Sequence, residues 1–166
     1  LSHVINRGQG AAFMTGFSFI KTKFPDCIVT FDSDGQHQAR EVELLCEPIF
    51  SHRADVVLGS RFLKENTIPT FKRIVLKVAT VFTRYITGLS ITDTHNGLRA
   101  LNMHALHNIV LSQAGMAHAS EILDEISRLQ LKYVEVPVTV TYSDYARKKG
   151  QRLSNSIHIL IDLWFK

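Results

Sequence analysis

The stretch Cys27-Ile28-Val29-Thr30-Phe31-Asp32-Ser33-Asp34-Gly35-Gln36-His37 decides the reading of this chain. Its first five residues are apolar or β-branched, as in a short strand buried on both faces. The six that follow are polar and turn-prone. Two carboxylates, Asp32 and Asp34, stand two residues apart directly after the strand. On a tight turn both can face one hard cation. Mg²⁺ and Mn²⁺ favour such oxygen ligands, with substrate phosphates completing the shell. Gly35 lets the turn bend. A metal held here would bridge a pyrophosphate and neutralise a leaving group. The residues by themselves also fit a plain Asx-type turn that caps the next helix.

Working outward, residues 9–24 carry Phe13, Phe17, Ile20 and Phe24 at helical spacing, stopped by Pro25-Asp26. Val42, Leu45, Cys46 and Ile49 mark one face of the following helix. Residues 55–59 read as a second buried strand. Phe71, Ile74, Val75, Val78, Phe82, Tyr85 and Ile86 predict a long helix, with Lys72, Arg73, Lys77 and Arg84 beside the apolar stripe and Gly88 ending it. Residues 98–101 are a candidate short strand. Ile122, Ile126 and Leu129 stripe another helix. Tyr133, Val134 and Val136 lead to Pro137, with strand expected to continue over 138–142. A basic loop follows, Arg147-Lys148-Lys149-Gly150-Gln151-Arg152, and residues 153–166 read as an apolar helix. Helix and strand in alternation predict one α/β domain over 1–166 with a mostly parallel sheet. In such sheets ligands sit beyond the carboxyl ends of the strands, where the Asp32 turn lies.

Two more segments reach that edge. Asn6-Arg7-Gly8-Gln9-Gly10 precedes a helix, and Gly8 and Gly10 permit close backbone approach to a ligand. Gly59-Ser60-Arg61 follows a strand end, so Arg61 can offer a forked contact to phosphate, or form a surface ion pair.

Bulk properties narrow the partners. The chain has 166 residues, is 45% hydrophobic and carries a net charge of +4, which suits a globular domain with an anionic partner. The basic residues are not interleaved with exposed aromatics, which argues against a nucleic-acid-binding module. No apolar run reaches the ~18 residues of a transmembrane helix. Cys27 and Cys46 are too few for a disulfide framework or a zinc site. Both fall in apolar patterns, so buried, reduced thiols and a cytoplasmic location are expected.

Taken together the motifs resemble the family 2 glycosyltransferases, in the dolichol-phosphate mannose synthase-like branch. The matching pieces occur in that family's order: Asn6-x-Gly8-x-Gly10-x-Ala12 with Gly16, residues 31–37, Val56-Val57-Leu58-Gly59-Ser60-Arg61, Asp93-Thr94-His95-Asn96-Gly97-Leu98-Arg99-Ala100, Glu121-Ile122-Leu123, and Glu135-Val136-Pro137-Val138. The resemblance implies a GT-A fold, a nucleotide-diphosphate sugar donor and inverting transfer by single displacement. It implies Asp32 and Asp34 as metal ligands with Gln36 completing the shell. Asn6, Gly8, Gly10 and Arg61 fall on the donor phosphates, and Asp93 on the acceptor side of the sugar. There Asp93 would orient the sugar or, for a hydroxyl acceptor, act as general base; a turn or helix-capping role is its plainer alternative.

The resemblance also implies that two βα units precede residue 1, about 60 residues at ~30 per unit. The late loop departs from the branch's Arg-x-x-Gly-x-Ser-Lys. It keeps Arg147, Lys149, Arg152 and a glycine without the Ser-Lys, closer to relatives of surface-polysaccharide assembly; these basic residues are expected, with Arg61, to hold the phosphate groups of donor or acceptor. The acceptor expected is a polyprenyl phosphate or another lipid-linked cell-surface glycan. The competing readings are a nucleotidyltransferase acting on a sugar phosphate, which would release pyrophosphate, and a glycosyltransferase fragment without activity. The apolar stripe of residues 71–86 and the segment 157–165 either pack within the protein and on a partner subunit, as in a homodimer, or lie on the headgroups at the inner face of the cytoplasmic membrane.

Overall fold

The computed structural model describes residues 1–65, 68–113, 115 and 117–141. In chain order the elements are α1 (Gln9–Lys21), β1 (Ile28–Thr30), a 3₁₀ turn (Ala39–Glu41), α2 (Val42–Phe50), β2 (Val56–Ser60), α3 (Thr70–Thr87), β3 (Arg99–Leu101), α4 (Met103–Asn108), α5 (His118–Arg128) and β4 (Tyr133–Pro137). Four strands form one sheet in the order β1-β3-β2-β4. β3 runs antiparallel to both β1 and β2, and β4 runs parallel to β2. Three of the four strands thus point the same way, a mixed sheet whose dominant direction is parallel.

The two faces of the sheet follow from period-two alternation. Val56, Leu58 and Leu101 turn toward α1, α4 and α5, in a core with Phe17, Leu106, Ile122 and Ile126. Val57 and Ala100 turn the other way, onto Leu45 and Ile49 of α2. Helices on both faces of a largely parallel sheet make the α/β sandwich expected. α3 ends at Gly88, which takes φ 71.

Several boundaries differ from the sequence reading. α1 stops at Lys21 because Thr22 Oγ1 donates back to the Phe19 carbonyl at 2.7 Å and Phe24 turns to φ 51. β4 stops at Pro137, and the strand expected over 138–142 does not form among its described residues. Val138 N donates to Ser60 O, then Thr139 N turns to the Glu41 carboxylate and Thr141 N to Gln36 O. This segment therefore crosses the carboxyl end of the sheet. The short α4 follows Asn102, whose Oδ1 accepts from Ala105 N at 2.8 Å. Cys27 and Cys46 are half-buried rather than fully buried; both are free thiols, with their sulfurs 3.5 Å apart. The helix expected over 153–166 and the basic loop 147–152 lie outside the described residues.

Candidate active site

Residues 32–37 leave β1 as a tight polar turn, with Gly35 at φ 76. Asp34 Oδ1 accepts the Gln36 N–H at 3.0 Å, the Asx turn the residue types allowed. Asp32 Oδ1 accepts from Gln9 Nε2 at 2.9 Å, which ties the turn to the first residues of α1. Behind Asp32 sits Gly97. A Cβ there would collide with the Asp32 carboxylate, so a larger residue at 97 would push that side chain from its place. Thr30 Oγ1 donates to the Gly97 carbonyl at 2.7 Å and holds the same junction. Upstream, Asn6 Oδ1 accepts the Gly8 N–H at 2.9 Å, Gly8 takes φ 89, and Gly10 is buried in the first turn of α1. The motif at residues 6–10 and the acidic turn are one neighbourhood.

The second half of the site is built on the loop after α3. Asp93 is buried, its side chain closed to solvent, and pairs with the equally buried Arg61 at the end of β2. Oδ2 of Asp93 accepts from Arg61 Nε at 2.6 Å and from Arg61 N at 3.1 Å, while Oδ1 accepts from His95 N at 3.3 Å. Arg61 Nη2 donates to the His95 carbonyl at 2.7 Å. The guanidinium is thus turned inward. Arg61, expected to offer a forked contact to phosphate, here grips the Asp93 loop, because Asp93 sits at the same strand end and a buried carboxylate needs a cation. The surface ion pair considered for Arg61 is likewise a buried one.

Other groups complete the setting. His37 stacks edge-on against Phe31, with ring centroids 6.1 Å apart. Burial holds its pKa below the usual imidazole value, offset in part by Asp32 and lowered further by Arg61, with Asp34 and Glu41 also in reach. His37 therefore stands electrostatically between the acidic turn and the Arg61–Asp93 pair. Lys72 at the start of α3 is pushed below its ordinary value, first by burial, then by Arg61. Arg99 is buried in β3; desolvation lowers it to about 10, still cationic at neutral pH, and it donates to the carbonyls of Asn96, Thr94 and Ala119. Gln36 joins the site from the other side, since its carbonyl accepts the Thr141 N–H at 2.9 Å. Arg147, Lys149 and Arg152 lie outside the described residues.

The sequence reading missed Gln9, Glu41, Lys72, Arg99 and Glu135. The signals were present for two of them. Arg99 and Glu135 are charges set inside otherwise apolar strand segments, where a charge needs a partner.

The acidic turn, the Asn6 segment and the Asp93 loop thus meet at the carboxyl edge of the sheet. Residues 1–110 match the family described as Glycosyl transferase family 2. The chain belongs to that family. Among its family 2 relatives, a protein of Methanocaldococcus jannaschii, named as uncharacterized, is 32% identical over 97% of this chain and 68% of its own length. The UDP-N-acetylglucosamine–dolichyl-phosphate N-acetylglucosaminyltransferase of Methanococcus voltae is 31% identical over 90% of this chain and 62% of its length. The undecaprenyl-phosphate mannosyltransferase of Micrococcus luteus is 28% identical over 89% and 64%. In fold, the glucosyl-3-phosphoglycerate synthase of Mycobacterium tuberculosis superposes with a TM-score of 0.67 at 16% identity, over 95% of this chain and 54% of that one. A complex of the same synthase with Mn²⁺, UDP-glucose and phosphoglyceric acid gives 0.64 at 16% identity, over 94% of this chain and 53% of that one. The likeness establishes the GT-A type of fold. The chain spans between about half and two thirds of the length of these proteins.

Proposed function

We propose that this glycosyltransferase moves a sugar from a nucleotide-diphosphate donor to a polyprenyl phosphate, with inversion and with a divalent metal at Asp32 and Asp34. Two carboxylates on one tight turn, oxygen-only donors, and an Asp32 braced by Gln9 and Gly97 fit Mg²⁺ or Mn²⁺. Among the described residues no group of three or more His, Cys, Asp or Glu could hold a metal ion. The proposed shell is Asp32 and Asp34, with donor phosphates and Gln36 completing it. The metal, when bound, offsets the charge of the departing nucleoside diphosphate. The fold neighbour solved with Mn²⁺ and UDP-glucose supports the same pairing.

One observation carries the choice of acceptor. Asp93 accepts three hydrogen bonds and its side chain is closed to solvent. A carboxylate so engaged is held to orient its loop, a role that asks no proton transfer of it. A phosphate acceptor is already an anion and needs no general base. The dolichyl- and undecaprenyl-phosphate relatives point the same way. Asn6, Gly8 and Gly10 are proposed to approach the donor phosphates. Arg147, Lys149 and Arg152 are proposed for the acceptor phosphate; Arg147 follows Thr141, anchored on Gln36, by six positions, a chain reach of at most about 22 Å.

A lipid-borne acceptor asks for a membrane contact, and α3 supports one. Its buried side is small or polar, Ala79, Thr80 and Thr83 with Leu76, whereas Phe71, Ile74, Val78, Val81 and Tyr85 are each more than half exposed. α3 contains no acidic residue, and Arg73, Lys77 and Arg84 lie beside the stripe. No helix of the described residues is long and apolar enough to cross a membrane. The reading is a helix lying on an anionic headgroup layer at the inner face of the cytoplasmic membrane.

The test is product analysis with the full chain, metal and a panel of nucleotide sugars. Sugar-phosphate-polyprenol with nucleoside diphosphate released supports the reading. Release of pyrophosphate, or transfer only to hydroxyl acceptors, contradicts it.

A further inference from the structure

β4 does more than close the sheet. Tyr133 and Glu135 project from the same face of the strand, two residues apart, and both take hold of the loop after α3. Tyr133 Oη accepts the Ser90 N–H at 2.7 Å. The Glu135 carboxylate accepts the Thr92 N–H through both oxygens, at 2.7 and 2.9 Å, the Thr92 hydroxyl at 2.9 Å and the Asp93 N–H at 3.2 Å. Thr92 Oγ1 also meets Ser60 Oγ at 2.6 Å, at the end of β2. Glu135 itself pairs in register with Leu58 of β2. The carboxylate is therefore fixed at the centre of β4, beside β2 at one end of the described sheet, and reads two consecutive backbone amides of the loop. One residue further, Asp93 engages Arg61 and His95; four residues beyond that, Gly97 backs Asp32.

We propose that Glu135 is a positioning residue for glycosyl transfer, acting through the 92–93 peptide to set where Asp93 and Arg61 stand at the acceptor side. A carboxylate is required because it offers acceptor lone pairs to three donors at once. A glutamine turns one of those oxygens into a donor facing N–H groups. The inference rests on the reading that Asp93 belongs to the acceptor side of the transferase site.

The experiment is a double-mutant cycle in the full-length enzyme: wild type, Glu135→Gln, Asp93→Asn and the double variant. For each, kcat and donor KM are measured separately, with thermal melting as the check on folding. Displacement of a catalytic constellation by a fraction of an ångström costs on the order of 10–100-fold. The expected result is a fall in kcat of about that size in Glu135→Gln with donor KM changed less than about threefold. On the Asp93→Asn background the same substitution is expected to lower kcat by less than about twofold, since the two act as one unit. An equal loss on both backgrounds overturns the proposal, as does wild-type kcat in Glu135→Gln. If Asp93→Asn keeps full activity, the acceptor-side reading fails instead, which separates the two failures. Should Glu135→Gln not fold, Thr92→Val keeps the carboxylate and removes the hydroxyl that bridges it to Ser60. A kcat loss of about threefold or more that vanishes on the Asp93→Asn background supports the proposal, and an unchanged kcat overturns it.

Discussion

The two halves of the site are held very differently. The loop of residues 90–97 is clamped from three sides: Glu135 and Tyr133 hold its backbone, Arg61 closes on Asp93, and Arg99 takes the carbonyls of Thr94 and Asn96. The turn of residues 32–37 is tied by fewer bonds, chiefly Gln9 to Asp32, Asp34 to its own Gln36 amide, and the Gln36 carbonyl to Thr141. The loop of residues 90–97 is thus preorganised by the protein. The acidic turn has the lighter framework of a place that a ligand finishes, as metal and donor phosphates do where the protein supplies only two carboxylates. Substitutions in the first region should therefore register as stability and geometry, and those in the second as ligand affinity.

The largest effect expected is Arg61→Ala. It leaves a buried Asp93 carboxylate without its cation, which costs about 3–5 kcal/mol. Urea unfolding measures it directly, and a loss below about 1 kcal/mol would place the pair among weak surface contacts. Gly97→Ala comes next and probes the junction of the two regions. The added methyl meets the Asp32 carboxylate, so metal-dependent donor affinity is expected to drop about tenfold or more, as when the support that orients a metal ligand is disturbed. Calorimetric titration that finds unchanged donor affinity removes Gly97 from the account.

Smaller is the effect of Val78→Glu on the exposed stripe of α3. Stability should stay within about 0.5 kcal/mol. Flotation with anionic liposomes at low salt should weaken, while wild-type binding should itself fall at high salt. Flotation unaffected by the substitution takes the membrane contact away from α3. The smallest concerns Cys27, whose thiol is pushed up to about 12, first by desolvation and then by its contact with Cys46. The thiolate is the reactive form, so at pH 8 Cys27 should alkylate far more slowly than a free cysteine. Rapid labelling there would show that the site opens.

Much of this was legible in the sequence, for identifiable reasons. The short apolar strand followed by Asp32-Ser33-Asp34 and the stripe of α3 follow from pattern alone, because strand and helix periods leave direct marks; the burial expected on both faces of β1 is not found, since β1 stands at one end of the described sheet with Ile28 and Val29 only partly buried. Alternating helices and strands gave the α/β class, and Gly88 marked the end of α3. What was not legible depends on long-range contact. Asp93 and Arg61 are 32 residues apart, and no local pattern states that they pair inward; each alone read as a group facing a ligand. The antiparallel β3 escaped because strand direction is set by the connection across α3, not by the three residues Arg99–Leu101. The strand expected beyond Pro137 failed for a tertiary reason. Glu41 and Gln36 capture the amides of Thr139 and Thr141 that a continuing ladder would have used.

The acidic turn is where metal and donor are proposed to meet. Donor nucleotide-sugar binding to the full-length protein, titrated calorimetrically with and without Mn²⁺, compares wild type with Asp34→Asn. Metal-dependent binding in the wild type that disappears in Asp34→Asn, with melting temperature unchanged within a few degrees, is the predicted result. Equal metal and donor affinity in the two proteins would contradict the assignment of Asp32 and Asp34 to the metal and, with it, the proposed mechanism.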